Sequence, residues 1–176
     1  DYNTTDLIRD ATLGSMTLNT RQHILVTWDG SSTAPNVHVY INGTEVTYGT
    51  TTDGATTRSD DSAMNLIIGA RGDGAATWDG EIVELAIWNT VLSASQIALL
   101  ANSRIRGIPL QIALTNLVGY WPMDEVTDGA SADLATLFDL SGNGNNGNPD
   151  NGANNTGCTG SAEIILSYPS PILTGL

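Results

Sequence analysis

Residues 22–48 read QHILVTWDGSSTAPNVHVYINGTEVTY, in which two β-rich runs flank a cluster of turn-forming residues. The runs at 22–28 and 37–41 predict two antiparallel strands, because apolar and β-branched residues dominate both. Asn42-Gly43 follows the second run, and both central positions of a type I′ turn require positive φ. The sequence therefore predicts a β-hairpin whose next strand covers residues 44–48.

Further apolar runs predict the remaining strands of a sheet. MNLIIGA at 64–70 is nearly continuously apolar, as expected for a strand buried on both faces, and EIVELAIW at 81–88 is the second central strand. A polar loop at 49–62 precedes them. IALTNLVGYW at 112–121 and AEIILSY at 162–168 predict two more strands.

One short helix is predicted, with Ser93 at its start. Gln96 stands three residues later, which is the spacing of a capping box, and apolar residues recur at helical intervals over 97–101. The helix is expected to end near Ser103.

The composition is typical of a globular all-β protein. The 176 residues are 40% apolar and 14% charged, which argues against disorder, and the 19 glycines indicate many turns. With 19 acidic residues, six arginines and no lysine, the net charge is −13. This charge repels phosphate backbones and anionic lipid, so nucleic acid and membrane surfaces are poor candidate partners. No apolar run is long enough for membrane insertion.

Cys158 is the only cysteine, so no internal disulfide forms. Its thiol is expected to be inert, with an intermolecular crosslink as the alternative. The sequence begins without methionine and without a basic, apolar leader, which indicates a processed chain or a fragment.

Four blocks of the sequence resemble a known family. HILVTWDG at 23–30, VYINGTEV at 39–46, LIIGAR at 66–71 and WDGEIVELAIWNTVLSASQIALL at 78–100 are similar, in this order, to the laminin-G-like jelly rolls of the concanavalin A-like lectin/glucanase superfamily. The resemblance implies an all-β fold, an antiparallel β-sandwich (jelly roll) with one short helix, in a permuted or truncated form. This sequence departs from the family pattern at three positions: it has Val83 where the family usually has Asp, Ala86 where Arg is common and Gln96 where Glu is common.

A block that resembles the opening of the family follows the closing block. LVGYWPMDE at 117–125 and FDLSGNGNNG at 138–147 look like that opening. A circular permutation, a chain cut from a longer protein, and a second domain that begins and stops would each explain this order. We favour a single sandwich, with a laminin-G-like body at 1–103, a linker at 104–111 and a C-terminal segment at 112–176 whose one or two strands pack on the same sandwich.

The acidic residues of the closing block do not match the pattern of the superfamily's glycosidases. The resemblance implies catalytic acids at alternating positions of one strand, so that nucleophile and acid/base face one cleft. Glu81 and Glu84 are three residues apart and face opposite sides of the predicted strand, and Val83 replaces the intervening acid. The sequence therefore predicts a protein that is not an enzyme.

Two groups of residues are candidates for binding. The first group would bind carbohydrate: Trp78 is the aromatic platform, and Asp73 and Asp79 are nearby carboxylates. Tyr48 and Asp53, in the preceding loops, complete this group. The alternative makes Trp78 a core aromatic residue. For calcium, side-chain oxygens recur at every second position of a glycine-rich loop, at Asp139, Ser141, Asn143 and Asn145. The alternative there is an Asx-rich turn without a metal ion.

These observations and the resemblance favour a non-catalytic, extracellular module for recognition or adhesion that binds carbohydrate. The expected partner is a glycan or a protein of a cell surface or virion, and the expected location is extracellular, on a cell surface or on a virion surface. The alternative is a structural subunit that self-associates, such as a capsid decoration or a surface filament. Exposed aromatic residues would favour the first function, and long uncovered edge strands would favour the second.

Overall fold

The computed structural model describes residues 4–55, 57–58, 66–69, 78, 80–102, 108–124 and 136–147. All strand pairs within these ranges are antiparallel, and they contain one α-helix, so the all-β prediction is confirmed. The chain divides into two compact units, residues 1–66 with 90–103 and residues 67–89 with 104–176. No described helix is long and apolar enough to cross a membrane.

The elements follow one another in the chain as seven strands and a helix. They are β1 (Ile8–Ala11), β2 (Ile24–Trp28), β3 (Val37–Ile41), β4 (Thr44–Glu45), β5 (Tyr48–Thr52), β6 (Leu85–Trp88), α1 (Ala94–Asn102) and β7 (Leu117–Trp121). Three short 3-10 turns, Ala34–Asn36, Ile108–Gln111 and Leu114–Asn116, connect them.

The predicted hairpin lies in a three-stranded sheet of the first unit, in the order β2-β3-β4. Asn42 and Gly43 have φ of 50° and 78°, as a type I′ turn requires, and Ile41 pairs with Thr44. Asn42 also closes the start of β2, because its N–H donates to the His23 carbonyl and its side-chain oxygen accepts the His23 N–H. The hairpin turn is therefore confirmed, but the strand after it is shorter than the predicted 44–48, because β4 covers only Thr44–Glu45 and Tyr48 begins β5.

A second sheet of this unit pairs β1 with β5, and sequence patterns did not indicate it. Ile8 pairs with Thr52, and the register shifts by a bulge between Arg9 and Ala11. Residues 49–52 were expected in a loop and form most of β5 instead. The polar sequence YGTTT carries no apolar alternation, so only pairing with β1 reveals the strand.

The helix α1 begins as its capping box predicts. The Ser93 N–H donates to Gln96 Oε1 at 2.8 Å, and the Gln96 N–H donates back to Ser93 Oγ at 3.4 Å. Ile97 and Leu100 are buried on one side of the helix. The helix ends at Asn102, within one residue of the expected position.

The second unit is built on the pair β6-β7, in which Leu85 pairs with Trp121. Tyr120 is completely buried. Three more residues of the same unit are buried: Ile112, Leu117 and Trp121. The strands at 81–88 and 112–121 are both shorter than predicted. Positive φ values at Glu84 (56°) and Ala113 (45°) precede the strands and turn the chain away from extended geometry.

The prediction of a central strand at 64–70 is wrong for its described part. Residues 66–69 form no strand, and Leu66, Ile67 and Ile68 are exposed. Gly69 has φ of 78°, a left-handed conformation that interrupts an extended run. The predicted strand at 162–168 lies outside the described residues.

The pairing of β6 with β7 joins a strand of the predicted body to a strand of the predicted C-terminal segment. The second half of the expected linker, Ile108–Gln111, is a 3-10 turn whose Ile108 and Pro109 are buried rather than extended in solvent. The division into 1–103, 104–111 and 112–176 stays a prediction, as do the three explanations of the block order.

Candidate functional site

Trp78 presents an exposed aromatic ring in the second unit. Its side chain is 47% exposed, and its backbone N–H donates to the Gly69 carbonyl at 2.7 Å. Gly80 lies directly against the ring, since a Cβ at this position would be 2.9 Å from Trp78 Nε1. The missing side chain of Gly80 therefore lets the indole lie close to the main chain. A ring held in this way can stack on the apolar face of a ligand.

The other three tryptophans are tied to the fold through their indole N–H groups. Trp28 Nε1 donates to the Ser31 carbonyl, Trp88 Nε1 to the Ile112 carbonyl, and Trp121 Nε1 to the Asn145 carbonyl, each at 2.8 Å. For Trp78, no acceptor is found among the residues that the structure describes. Of the four indoles, this one is thus the candidate for contact with a ligand.

The predicted carbohydrate residues fall in different parts of the chain. Asp73 and Asp79 lie outside the described residues. Trp78 belongs to the second unit, whereas Tyr48 and Asp53 belong to the first. Asp53 has a local structural contact, because its Oδ1 accepts the N–H of Ala34 at 2.7 Å at the start of a 3-10 turn.

Tyr48 is held by contacts on its hydroxyl and on its ring. The hydroxyl donates to Glu45 Oε1 at 2.8 Å and accepts the Val39 N–H at 2.8 Å. The Arg9 guanidinium lies 3.6 Å from the centre of the ring, a cation–π contact. Burial raises the pKa of Tyr48. The Tyr48 hydroxyl thus binds the main chain of β3 at Val39, beyond the end of the short β4.

His38 and Glu45 form a polar pair next to Tyr48 that sequence reasoning did not select as a site. His38 Nδ1 donates to Glu45 Oε1 at 2.7 Å, and both side chains are about two-fifths exposed. The hydrogen bond with His38 lowers the pKa of Glu45, and the bond from Tyr48 adds to this effect. The alternation of β3, which places His38 and Tyr40 on one face, was the available signal.

An open cleft of about 260 Å³ lies beside this pair in the first unit. It is lined mostly by hydroxyl-bearing side chains over two apolar ones: Thr12, Ser15, Ile41, Thr44, Glu45, Val46 and Thr47. Its volume is below the roughly 300–1,000 Å³ usual for small-molecule sites. Trp78 therefore remains the candidate for ligand contact.

The four predicted calcium ligands do come together, in a loop that folds back on β7. Asp139 is buried, and its carboxylate accepts backbone N–H groups from Tyr120 (3.0 Å), Ser141 (2.8 Å) and Asn145 (2.9 Å). Burial by itself would raise the pKa of Asp139, but the hydrogen bonds from Ser141, Tyr120 and Asn145 outweigh it and lower the pKa. The carboxylate is thus stabilised in its charged form by protein donors.

The amides of the same loop also point at the main chain of β7. Asn143 Nδ2 donates to the carbonyls of Leu117 (2.7 Å) and Val118 (3.1 Å), and Asn145 Nδ2 donates to Val118 (2.8 Å). N–H donors surround the carboxylate oxygens that a calcium ion would need. Over the described ranges, no group of three or more His, Cys, Asp or Glu side chains is arranged to hold a metal ion. Calcium binding by this loop stays a prediction.

Glu81 and Glu84 do not share a strand, because β6 begins only at Leu85. Glu84 has left-handed backbone geometry, and its Oε2 accepts the Tyr120 hydroxyl at 2.6 Å. Glu81 is exposed in the segment before it. These positions differ from the two-acids-on-one-strand arrangement that the resemblance implies for hydrolysis.

The chain belongs to the concanavalin A-like lectin/glucanases superfamily. The Laminin_G_3 family model of that superfamily matches residues 2–98, which is more than half of the 176 residues. Comparisons with curated proteins and with solved structures gave no match. The laminin-G-like jelly-roll prediction is confirmed, and the superfamily, as its description states, contains both lectins and glucanases.

Proposed function

We propose that this chain is a non-catalytic module that recognises carbohydrate outside the cell, with Trp78 as its central contact. The observation that carries the proposal is the contrast between this indole and the other three, each of which donates its N–H to a backbone carbonyl. A sugar ring has an apolar face and polar edges. An exposed indole meets the face by stacking, and its N–H can bond to a hydroxyl.

The surroundings of Trp78 in the sequence fit this chemistry. Asp73 and Asp79 place carboxylates within a few residues of Trp78 in the sequence, and a carboxylate is an acceptor for sugar hydroxyls. The net charge of −13 favours a neutral ligand over an anionic one. Membership of a superfamily that includes lectins supports a lectin-like module.

The proposal excludes catalysis because of the two glutamates before β6. A glycosidase needs an acid and a nucleophile or base at opposite sides of one bond. The Glu84 carboxylate accepts a hydrogen bond at 2.6 Å from the hydroxyl of Tyr120, which is completely buried. Glu81 is exposed and does not lie in β6. Hydrolysis of a bound glycan by the intact chain would overturn this part.

The test is a glycan array probed with the intact chain, with calcium and with a chelator. We expect calcium-independent binding that Trp78→Ala abolishes and that Trp78→Phe retains in part, because phenylalanine keeps a ring but has no N–H donor. Phe138→Ala is the matched control, since Phe138 is 55% exposed in the same unit. Circular dichroism verifies that each variant is folded.

Other array results would move or remove the site. Binding that requires calcium and is lost in Asp139→Ala but not in Trp78→Ala would transfer recognition to the Asp139 loop. Equal losses in Trp78→Ala and Phe138→Ala would contradict a specific role for Trp78. No binding under either condition would overturn the carbohydrate proposal.

A structural subunit on a virion or cell surface is the second candidate function. The outer edge of β2 favours it, because no strand that the structure describes pairs with this edge and an exposed strand edge is a template for pairing with another chain.

A further inference from the structure

Three Asn-Gly pairs occur among the residues that the structure describes: Asn42-Gly43, Asn143-Gly144 and Asn146-Gly147. In such a pair the glycine nitrogen can reach the side-chain carbonyl carbon of the asparagine, because glycine has no Cβ to obstruct the approach. Attack at this carbon expels the side-chain amide as ammonia. Each pair is therefore a chemical site, and its surroundings decide whether it reacts.

The reaction needs water and no other partner. The Gly144 main-chain nitrogen bonds to Cγ of Asn143, the Cγ–Nδ2 bond breaks, and the proton of the Gly144 nitrogen leaves with Nδ2 as ammonia. Water then opens the resulting succinimide ring at either of its carbonyl carbons, which gives aspartate or isoaspartate. Nothing is oxidised or reduced, and a neutral amide has become a carboxylate.

Gly144 has the more accessible nitrogen of the two pairs in the Asp139 loop. No described residue accepts its N–H, and no atom lies within 4 Å of the place that a Cβ would occupy. The Gly147 N–H instead donates to the Leu137 carbonyl at 2.8 Å. In the same pair, Asn146 Oδ1 accepts the Asp139 N–H at 2.9 Å. Both ends of that pair are thus tied, whereas the nitrogen of Gly144 has no such bond within the described ranges.

The closed loop restrains the side chain of Asn143. Its Nδ2 donates to the β7 carbonyls of Leu117 (2.7 Å) and Val118 (3.1 Å) and to Ser141 Oγ (3.1 Å). These bonds fix the amide, so attack by the Gly144 nitrogen requires that the loop first leaves β7. Loops open locally at a lower free energy than the whole fold, and the open state is the reactive one.

We propose that Asn143-Gly144 is a self-modification site, at which opening of the Asp139 loop permits deamidation and deamidation then keeps the loop from closing fully. In the aspartate product an oxygen replaces Nδ2 and faces the carbonyls of Leu117 and Val118, so donor–acceptor contacts become contacts between acceptors. The new charge is also repelled by the carboxylate of Asp139 in the same loop. In isoaspartate the main chain is longer by a carbon atom as well.

The modification is permanent, because the ammonia is released and no step of the reaction returns it. Each reacted molecule loses the donor that Asn143 supplies to the main chain of β7. Asp139 and Asn145 keep their own bonds to β7, so the expected product is a loosened loop and not an unfolded unit. The protein thus accumulates a second, less stable form as it ages.

Peptide mapping by mass spectrometry, after incubation of the intact chain in mildly alkaline buffer, tests the proposal. We expect Asn143 to deamidate at least about tenfold faster in Asp139→Ala than in the wild type, because this variant lacks the carboxylate that ties the loop to β7. Asp10→Ala is the matched control, since it removes an exposed carboxylate on β1 and should leave the rate unchanged. Asn42, in the first unit, is the internal reference and should react equally in all three proteins.

Two aspartate variants keep the proposal testable if Asp139→Ala does not fold. Asn143→Asp reproduces the product and should lower the melting temperature by about 3 °C and reduce amide protection at Tyr120. Asn146→Asp adds the same charge to the same loop but keeps an oxygen for the Asp139 N–H, so its effect should be smaller. The proposal fails if Asn143 and Asn146 of the wild type react at equal rates, if Asp139→Ala leaves the Asn143 rate unchanged, or if the two aspartate variants are equally stable.

Discussion

The strands β7 and β2 have the same length and differ in what happens at their outer edges. β7 (LVGYW) is flanked by β6 on one side and by the Asp139 loop on the other, whose carboxylate and amides bond to its main chain. β2 (ILVTW) is flanked by β3 on one side and by no described strand on the other. Tyr120 of β7 is completely buried, whereas Val26 of β2 is 58% exposed.

The difference shows how a loop can replace a strand at a sheet edge. A neighbouring strand satisfies an edge with its own N–H and C=O groups, and the Asp139 loop does so with side chains. The Asp139 carboxylate accepts the Tyr120 N–H, and Asn143 and Asn145 donate to carbonyls of the strand. These internal bonds occupy the Tyr120 N–H and the carbonyls of Leu117 and Val118, groups that a partner chain would otherwise bind.

The largest effect is expected from Asp139→Ala, which breaks the cover of β7. Three backbone N–H groups would lose their acceptor, that of Tyr120 in a buried site and those of Ser141 and Asn145 in a part-buried one, so the free energy of unfolding should fall by about 3 kcal/mol. Urea unfolding measures this change. Amide hydrogen exchange should in addition show lost protection at Tyr120 and Asn145.

Asp10→Ala is the control for this prediction, because Asp10 is an exposed carboxylate on β1. Its effect is expected to stay within about 0.5 kcal/mol. If Asp139→Ala were equally mild, the loop would not be what stabilises the edge of β7.

A smaller effect is expected from Gly43→Ala, which tests the turn between β3 and β4 in the sheet that contains β2. Gly43 has φ of 78°, and a Cβ there would lie 2.9 Å from the Ala101 Cβ of α1. The left-handed backbone and this contact together should lower the free energy of unfolding by about 2 kcal/mol.

Gly30→Ala separates the two causes in the same unit. Gly30 has φ of 83°, and no atom lies within 4 Å of the place that a Cβ would occupy, so only the backbone penalty of about 1 kcal/mol applies. Equal losses for the two variants in thermal or urea unfolding would show that the contact with α1 contributes nothing.

The smallest effect is expected from Glu45→Gln, at the opposite edge of the sheet from β2. The His38–Glu45 pair is exposed, so the loss at neutral pH should be about 0.5 kcal/mol. Because the folded-state pKa of Glu45 is lowered, its charge stabilises the fold above the ordinary value of 4.5 and stops doing so as pH falls through the lowered pKa. The difference between wild type and variant should therefore vanish in acid.

Unfolding measured from neutral pH to about pH 3 checks this sign. A gap between wild type and Glu45→Gln that widens as pH falls would contradict the assignment of the stabilising charge to Glu45.

The sequence predicted those elements whose signals are local. The Asn42-Gly43 turn and the Ser93–Gln96 capping box both act through backbone preferences within four residues, and both appear as expected. The apolar run at 66–69 misled the prediction, because hydrophobic content alone does not report that Gly69 turns the chain. β1 and β5 were missed because their polar residues become strands only by pairing with each other.

The candidate sites divide in the same way. The spacing of oxygen-bearing side chains at 139–145 identified a special loop, but not the direction in which its groups bond. Nor does a pattern show which of four tryptophans lacks an internal acceptor for its N–H among the described residues, since the acceptors at Ile112 and Asn145 are 24 residues from the indoles they bind.

By itself the sequence determined the all-β class, the superfamily, the hairpin turn and the start of the helix, because each rests on the identities of nearby residues. Only the tertiary structure decided that Asp139 stabilises β7, that Trp78 stays exposed and that β2 has a bare edge among the described residues. The physical reason is that these properties depend on which hydrogen-bond donor meets which acceptor after distant segments pack. A local sequence pattern contains no information about these long-range partners.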